Sequence, residues 1–201
     1  RTLERKVIPT EPFDPVVGNA SSPVSLVQFS DFECPYCGQL ARELSTIQER
    51  YAKHVRFAFK HYPLSSSCNQ DMSVDMHPMA CKAAEAAQCA SRQGKFGAYH
   101  DRIFADMQRL SPAMLLSMAK EVGLKTEPFA ACLESGKTKG EVKTHIATGA
   151  KLGIRGTPSL FINGRELPSP HPLVIEMVLR EELRAAGVTA LPADELGVFP
   201  H

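Results

Sequence analysis

Runs of apolar and polar positions divide this chain into a series of strands and helices. Val24-Ser25-Leu26-Val27-Gln28-Phe29-Ser30 is a short, largely apolar run of the kind that forms a buried strand. Residues 35–51 repeat apolar Leu40, Leu44 and Ile47 at helical spacing. Val55-Arg56-Phe57-Ala58-Phe59-Lys60 alternates, which places Val55, Phe57 and Phe59 on one side of a second strand. Upstream, residues 1–23 are extended and Pro-rich, with Val7-Ile8 and Val16-Val17 as edge-strand pieces.

The strand series is then interrupted. Ser65-Ser66-Ser67 and Asn69 mark a loop, and residues 79–93 form an Ala-rich helix that ends at Gly94. A second helix covers about residues 95–109. Ser111 followed by Pro112 is an N-cap with proline at the first helical position, opening a helix that ends at Gly123. Thr126 is expected to cap another, ending near Gly136, and residues 138–152 form the last, stopped by Gly153. Beyond it come a strand at 159–162, an Asn163-Gly164 hairpin turn, a strand at 165–167, and a helix over about 172–186 closed by Gly187. Residues 188–201 read as a tail. No internal repeat or low-complexity segment is visible.

The 201 residues suit one domain with an insertion, or two small ones. A hydrophobic content of 43% is ample for a core. The net charge of +1, with no basic or acidic run, points away from nucleic acid and from a strongly charged partner. No apolar stretch approaches the roughly 18 residues of a membrane span. The six cysteines change the picture more. Cytosolic proteins rarely keep structural disulfides, so this many predicts an oxidising compartment.

Two of the six form Cys34-Pro35-Tyr36-Cys37, between a strand and a helix. Free N–H groups and the dipole at a helix start favour negative charge, so the first cysteine is held as a thiolate. That thiolate attacks or leaves in disulfide exchange. A structural zinc site would need a second Cys or His pair at similar spacing, and none occurs. An inert disulfide would close too small a loop to stabilise much. Cys34 is the expected nucleophile and Cys37, one turn deeper, the resolving thiol. Pro35 suits the first helical position, and Tyr36 brings no charge to the thiolate.

Far along the chain, Gly156-Thr157-Pro158-Ser159-Leu160-Phe161-Ile162-Asn163-Gly164 reads as a tight turn, a strand and a hairpin turn. Together with Phe29-Ser30-Asp31-Phe32-Glu33-Cys34-Pro35-Tyr36-Cys37, this segment resembles the thioredoxin superfamily, in its DsbA-like extracytoplasmic branch. The resemblance covers about residues 20–185. It implies an α/β thioredoxin fold, a central mixed sheet flanked by helices, with an inserted all-helical domain. The discontinuous thioredoxin-like domain would take residues 1–63 and 153–187, the insertion 64–152, and the tail 188–201. It also implies that Thr157-Pro158 is a cis-proline dipeptide opposite Cys34 and Cys37, with a backbone able to pair with a substrate chain.

One departure from the family stands out. The position six residues before the first cysteine often holds a buried carboxylate, and here it is Gln28, which cannot take a proton from Cys37. Lys60 is either the former partner of that acid or a solvated strand-end lysine. Asp31 and Glu33 read as solvated edge carboxylates; a carboxylate close to Cys34 would raise its pKa and oppose the helix effect.

Cys68, Cys81, Cys89 and Cys132 remain. Cys81 and Cys89 fall on one helix, about 12 Å apart, beyond the roughly 7 Å limit for a disulfide. Two pairings survive. Cys68–Cys81 with Cys89–Cys132 is preferred over Cys68–Cys89 with Cys81–Cys132. Met72, Met76, His77 and Met79 form a soft cluster that can hold Cu(I), against the ordinary reading of methionines as gap-fillers. His100 reads as packed or capping rather than catalytic.

The expected function is an extracytoplasmic thiol:disulfide oxidoreductase that introduces disulfides into unfolded or partly folded thiol-containing polypeptides. It would act as a monomer, without an organic cofactor, the cysteines being the redox centre. By the resemblance, a membrane-bound quinone-linked protein reoxidises it. Residue 1 is Arg rather than Met, so a signal peptide or membrane anchor is expected to be missing from this sequence. The alternatives are a reductase or isomerase of the same fold, a Cu(I) metallochaperone using the same dithiol, and a redox-inactive binding module. A cysteine-protease reading leaves Cys37 and the Thr157-Pro158 turn unexplained.

Overall fold

Strand β2, Ser25–Ser30, and strand β3, Arg56–His61, run parallel at the centre of the sheet, joined by helix α1, Pro35–Tyr51. Such a crossover suits strands covered on both faces, and five consecutive residues of each strand are buried. The structure is a computed structural model, and it describes residues 4–192.

Strand β1, Val16–Gly18, lies antiparallel on the outer side of β3, and strand β4, Ser159–Ile162, lies antiparallel on the other side of β2. Strand β5, Arg165–Glu166, completes the mixed sheet in the order β1-β3-β2-β4-β5. Between β3 and β4 come helices α2 (Ala80–Ser91), α3 (Phe96–Ala105), α4 (Pro112–Glu121), α5 (Thr126–Ser135) and α6 (Lys139–Lys151). Helix α7, Pro172–Ala185, ends the series. This is the thioredoxin fold with helices set between its two halves.

Three apolar clusters hold the layers. On one face of the sheet, Leu26 and Phe57 pack with Leu40, Leu44 and Ile47 of α1 and with Ile175, Val178 and Leu179 of α7. On the other, Val27, Phe29, Ala58 and Phe161 meet Val142 and Ile146 of α6. The third lies among the helices, where Tyr99, Ile103, Leu115, Met118 and Phe129 are buried, and it extends to Phe32, Cys34 and Cys37. Helix α1 therefore starts where the sheet core and the helical core meet.

Several local expectations are corrected. Val7-Ile8 is not a strand: Val7 is 91% exposed, and pairing in this region is limited to an isolated bridge between Arg5 and Arg165. The segment is a strap instead. Lys6 N–H donates to the Gly164 carbonyl at 2.8 Å, and a Cβ at Gly164 would lie 2.2 Å from the Lys6 oxygen. Lys125, not Thr126, occupies the cap of α5, and Thr126 is its first helical residue. Leu167 falls outside β5. Of the expected tail, Val188 and Leu191 pack against the α1–α7 cluster, and residues 193–201 lie outside the described residues.

Candidate active site

Cys34 occupies the N-cap of α1 with extended backbone angles, φ −78° and ψ 118°, and Pro35 follows at the first turn. Its own carbonyl accepts from the N–H groups of Cys37 and Gly38 at 3.0 and 3.1 Å. Cys34 Sγ lies 3.3 Å from the Thr157 carbonyl, to which it donates only while protonated. Both motif cysteines are free thiols and buried. The Thr157–Pro158 bond is cis, and the pairing of Phe29 with Ser159 brings that turn beside the end of β2, from which the motif springs.

The electrostatics separate the two sulfurs. The Cys37 thiol, the Thr157 side chain and the N–H groups of Cys37 and Tyr36 outweigh burial and lower the Cys34 pKa to about 6. Thr157 Oγ1 is buried without another hydrogen-bond partner among the described residues, so its proton is available to a thiolate. Burial first, then the Cys34 sulfur, push Cys37 well above an ordinary thiol, with the Ser30 hydroxyl opposing. Cys34 is thus the thiolate at neutral pH, and Cys37 the protonated partner. Tyr36 is 72% exposed beside them and carries no charge to the site.

The groups acting most strongly on Cys37 include no carboxylate. Gln28 is buried, and its amide Nε2 has no hydrogen-bond partner among the described residues. A cleft of about 180 Å³ runs along Gln28, Leu44, Phe59 and His100. Lys60 fits neither expectation. The register pairs Gln28 with Phe59 and Phe29 with Lys60, so Lys60 points to the opposite face from Gln28. Nor is it solvated: its Nζ is buried and donates to Asp14 Oδ1 and Oδ2 at 2.8 and 2.9 Å. His145 Nε2 meets the same carboxylate at 2.9 Å.

Asp31 also departs from its expected solvated state. It is buried, and accepts from the N–H groups of Glu33 and Leu64, each at 2.7 Å. His77 Nδ1 lies 2.7 Å from Asp31 Oδ2. Glu33 is half-buried and accepts from Met79 N–H at 2.6 Å. Burial, with the charge of Asp31, raises the Glu33 pKa.

Cys68 bonds to Cys81 and Cys89 to Cys132, with Cα separations of 6.1 and 5.9 Å. The first ties the loop after β3 to the start of α2, and the second ties α2 to α5. His77 is engaged with Asp31, while Met72 and Met79 pack against different apolar clusters, so the cluster drawn from the sequence does not converge. His100 is packed edge-on against Phe59 and Phe104, with centroids 5.3 and 4.9 Å away. Asp14, Ser30 and the Asp31–His77 pair are the residues that the sequence reading did not place. The partners of Asp14 and Asp31 lie too far along the chain for any periodicity to show them, and a lone serine at a strand end carries no signal of its own.

A family model described as thioredoxin matches residues 10–174. Among curated proteins, the chain is 33% identical over 191 residues to the Na(+)/H(+) antiporter NhaA 3 of Salinispora tropica, covering 94% of this chain and 27% of that protein. It is 26% identical over 198 residues to the antiporter NhaA of Herminiimonas arsenicoxydans, covering 96% of this chain and 30% of that protein. The chain therefore spans less than a third of the length of these curated relatives. Among solved structures, a thioredoxin-like oxidoreductase from Silicibacter pomeroyi shares 26% identity at a TM-score of 0.73, covering 87% of this chain and 94% of that one. BdbD from Bacillus subtilis, oxidised, shares 21% at 0.74, covering 88% and 96%. The fold of alpha-DsbA1 from Wolbachia pipientis is as close, at 20% and 0.74, covering 90% and 96%.

Proposed function

The chain belongs to the thioredoxin family and has the fold of its DsbA-like thiol:disulfide oxidoreductases, and from that premise we propose that it introduces disulfides into thiol-containing polypeptides at Cys34 and Cys37. The observation that carries this reading is the asymmetry of the pair, an acidic Cys34 at the helix start over a buried, protonated Cys37.

In the oxidised protein, a substrate thiolate attacks Cys34 Sγ. The Cys34–Cys37 bond breaks, and Cys37 leaves with the electron pair and takes up a proton. A second substrate thiol loses its proton and attacks the substrate sulfur bound to Cys34. That bond breaks, and Cys34 leaves as a thiolate. The substrate has lost two electrons and the protein has gained them. Thr157, whose carbonyl already meets Cys34, offers backbone groups against which an extended substrate can align. The cysteines serve as the redox centre without an organic cofactor.

The two further disulfides support an oxidising, extracytoplasmic setting. Among the described residues, no helix is long and apolar enough to cross a membrane. The antiporters among the relatives carry a unit like this one within much longer membrane proteins, which favours a setting close to a membrane, where a quinone-linked partner would reoxidise the dithiol.

The test is direct. Oxidised protein incubated with a reduced, unfolded polypeptide should transfer its disulfide and, with glutathione disulfide as terminal oxidant, turn over many times. If it transfers none, while the reduced protein readily opens substrate disulfides, the direction is reversed and the reductase alternative holds.

A further inference from the structure

Asp31 is a buried carboxylate three residues before the nucleophile, and its backbone carbonyl accepts from Cys34 N–H at 3.2 Å. Negative charge there opposes a thiolate. Cys34 is nevertheless acidic, and neither Pro35 nor Tyr36 brings a cation to the motif. The loop after β3 brings an imidazole, His77, against the Asp31 carboxylate.

That loop is fastened along the motif at several points. Tyr62 N–H donates to the Ser30 carbonyl and Leu64 N–H to Asp31 Oδ2, at 2.8 and 2.7 Å. At its far end, His77 N–H donates to the Leu64 carbonyl, His77 Nδ1 meets Asp31 Oδ2 and Met79 N–H meets Glu33. Between these anchors Ser65 bonds Asp75, and Cys68–Cys81 closes the loop covalently onto α2. The His77 side chain is only 15% exposed. Its position against residues 31 and 33 is therefore built, not incidental.

We propose that His77 is a positioning residue for the exchange reaction: held by Asp31 as an imidazolium, it cancels the carboxylate's charge beside Cys34 and steadies the Cys34 thiolate each time that sulfur leaves. It would thus do from a distant loop what a cationic side chain inside a Cys-x-x-Cys motif does. The inference rests on the assignment of Cys34 as nucleophile made above, but not on the direction of net electron flow.

The charged groups facing His77 are Asp31 and Glu33 from the turn before α1 and Cys34 from its start; Asp75, on its own loop, is engaged by Ser65. The bond to Asp31 is the largest influence and raises the His77 pKa. Burial opposes it, and the charges of Cys34 and Glu33 add to it. The imidazolium is present below that raised pKa and is lost as pH rises through it. Coupling between two titrating sites is reciprocal. If His77 favours the Cys34 thiolate, the thiolate must favour protonated His77 to the same extent.

The decisive measurement is the NMR titration of the His77 ring in the wild-type protein, with Cys34–Cys37 first oxidised and then reduced. The His77 pKa should be higher in the reduced form. In parallel, His77→Gln should raise the Cys34 thiolate pKa, read from its ultraviolet absorbance, by about one unit, the scale of one nearby opposite charge. The equilibrium with glutathione should shift by up to about tenfold, or about 30 mV, toward the disulfide. His77→Lys should restore the low thiolate pKa. A His77 titration identical in the two redox states overturns the proposal, and it decides the matter even where His77→Gln fails to fold. A Cys34 pKa unmoved in a folded His77→Gln overturns it as well. Failure of the wild-type protein to exchange with any thiol is a different result, which removes the assignment of function.

Discussion

Replacing Cys34 by Ser is expected to lower disulfide exchange by roughly 10³-fold or more, because the group that forms and breaks the covalent bond is gone. A hydroxyl at the same helix start cannot form a disulfide, and no other free thiol among the described residues shares the first turn except buried Cys37. Replacing Cys37 by Ser should have a different outcome. Cys34 still attacks, but the mixed disulfide has no neighbouring thiol to resolve it, and covalent substrate adducts should accumulate. Non-reducing gels and mass spectrometry of the adducts separate the two variants. If the Cys37 variant traps nothing and the Cys34 variant does, the two roles are the reverse of those assigned here.

A large effect on stability is expected far from the sulfurs, at Asp14. This carboxylate from the N-terminal segment is the acceptor for buried Lys60 of β3 and buried His145 of α6. It joins three parts of the chain beneath the sheet. Asp14→Ala leaves the Lys60 ammonium buried without its counter-charge, which costs about 3–5 kcal/mol. Adding Lys60→Met should recover much of that loss, because an apolar side chain of similar length needs no partner there. Denaturant midpoints of the two variants measure both numbers. A loss below about 1 kcal/mol in the single variant would mean that water reaches Lys60.

The same carboxylate gives stability a dependence on acid. Burial pushes the Asp14 pKa up, but the bonds from His145 and Lys60, with the backbone of Glu11, bring it below the ordinary value of 3.8. A group with a depressed folded-state pKa contributes stability that is present above its unfolded pKa and lost as pH falls through the folded one.

The sequence carried the fold class and the local surroundings of Cys34 because both are written in short segments. The apolar run before Cys34, the proline at the first helical turn and the helical spacing of Leu40, Leu44 and Ile47 are each local, and β2 and α1 lie within a residue of where they were expected. What escaped is polar and distant. Lys60 and Asp14 are separated by 46 residues, as are Asp31 and His77, while Asp14 and His145 are separated by 131. A buried ion pair leaves no period in a sequence, and each partner alone reads as an ordinary surface charge. The strap at Val7-Ile8 was read as a strand for a related reason. Two adjacent β-branched residues fit an edge strand, but the partners of this segment are the turn at Gly164 and the side chains of Glu166 and Glu182.

The acidic Cys34 has a thermodynamic consequence for direction. A stabilised thiolate favours the dithiol, so under the proposed function the disulfide form is expected to be the reactive one, giving up its bond to substrates. Tyr36 adds no charge inside the motif, so this bias should fall short of the most oxidising proteins of the class. The reduction potential of Cys34–Cys37, measured against glutathione at pH 7, tests this account most directly. It is predicted to lie between about −120 and −200 mV, in the range of strong oxidants and isomerases, with the reduced protein more stable to denaturant than the oxidised one. A potential near about −270 mV, with the oxidised form clearly the more stable, would contradict it.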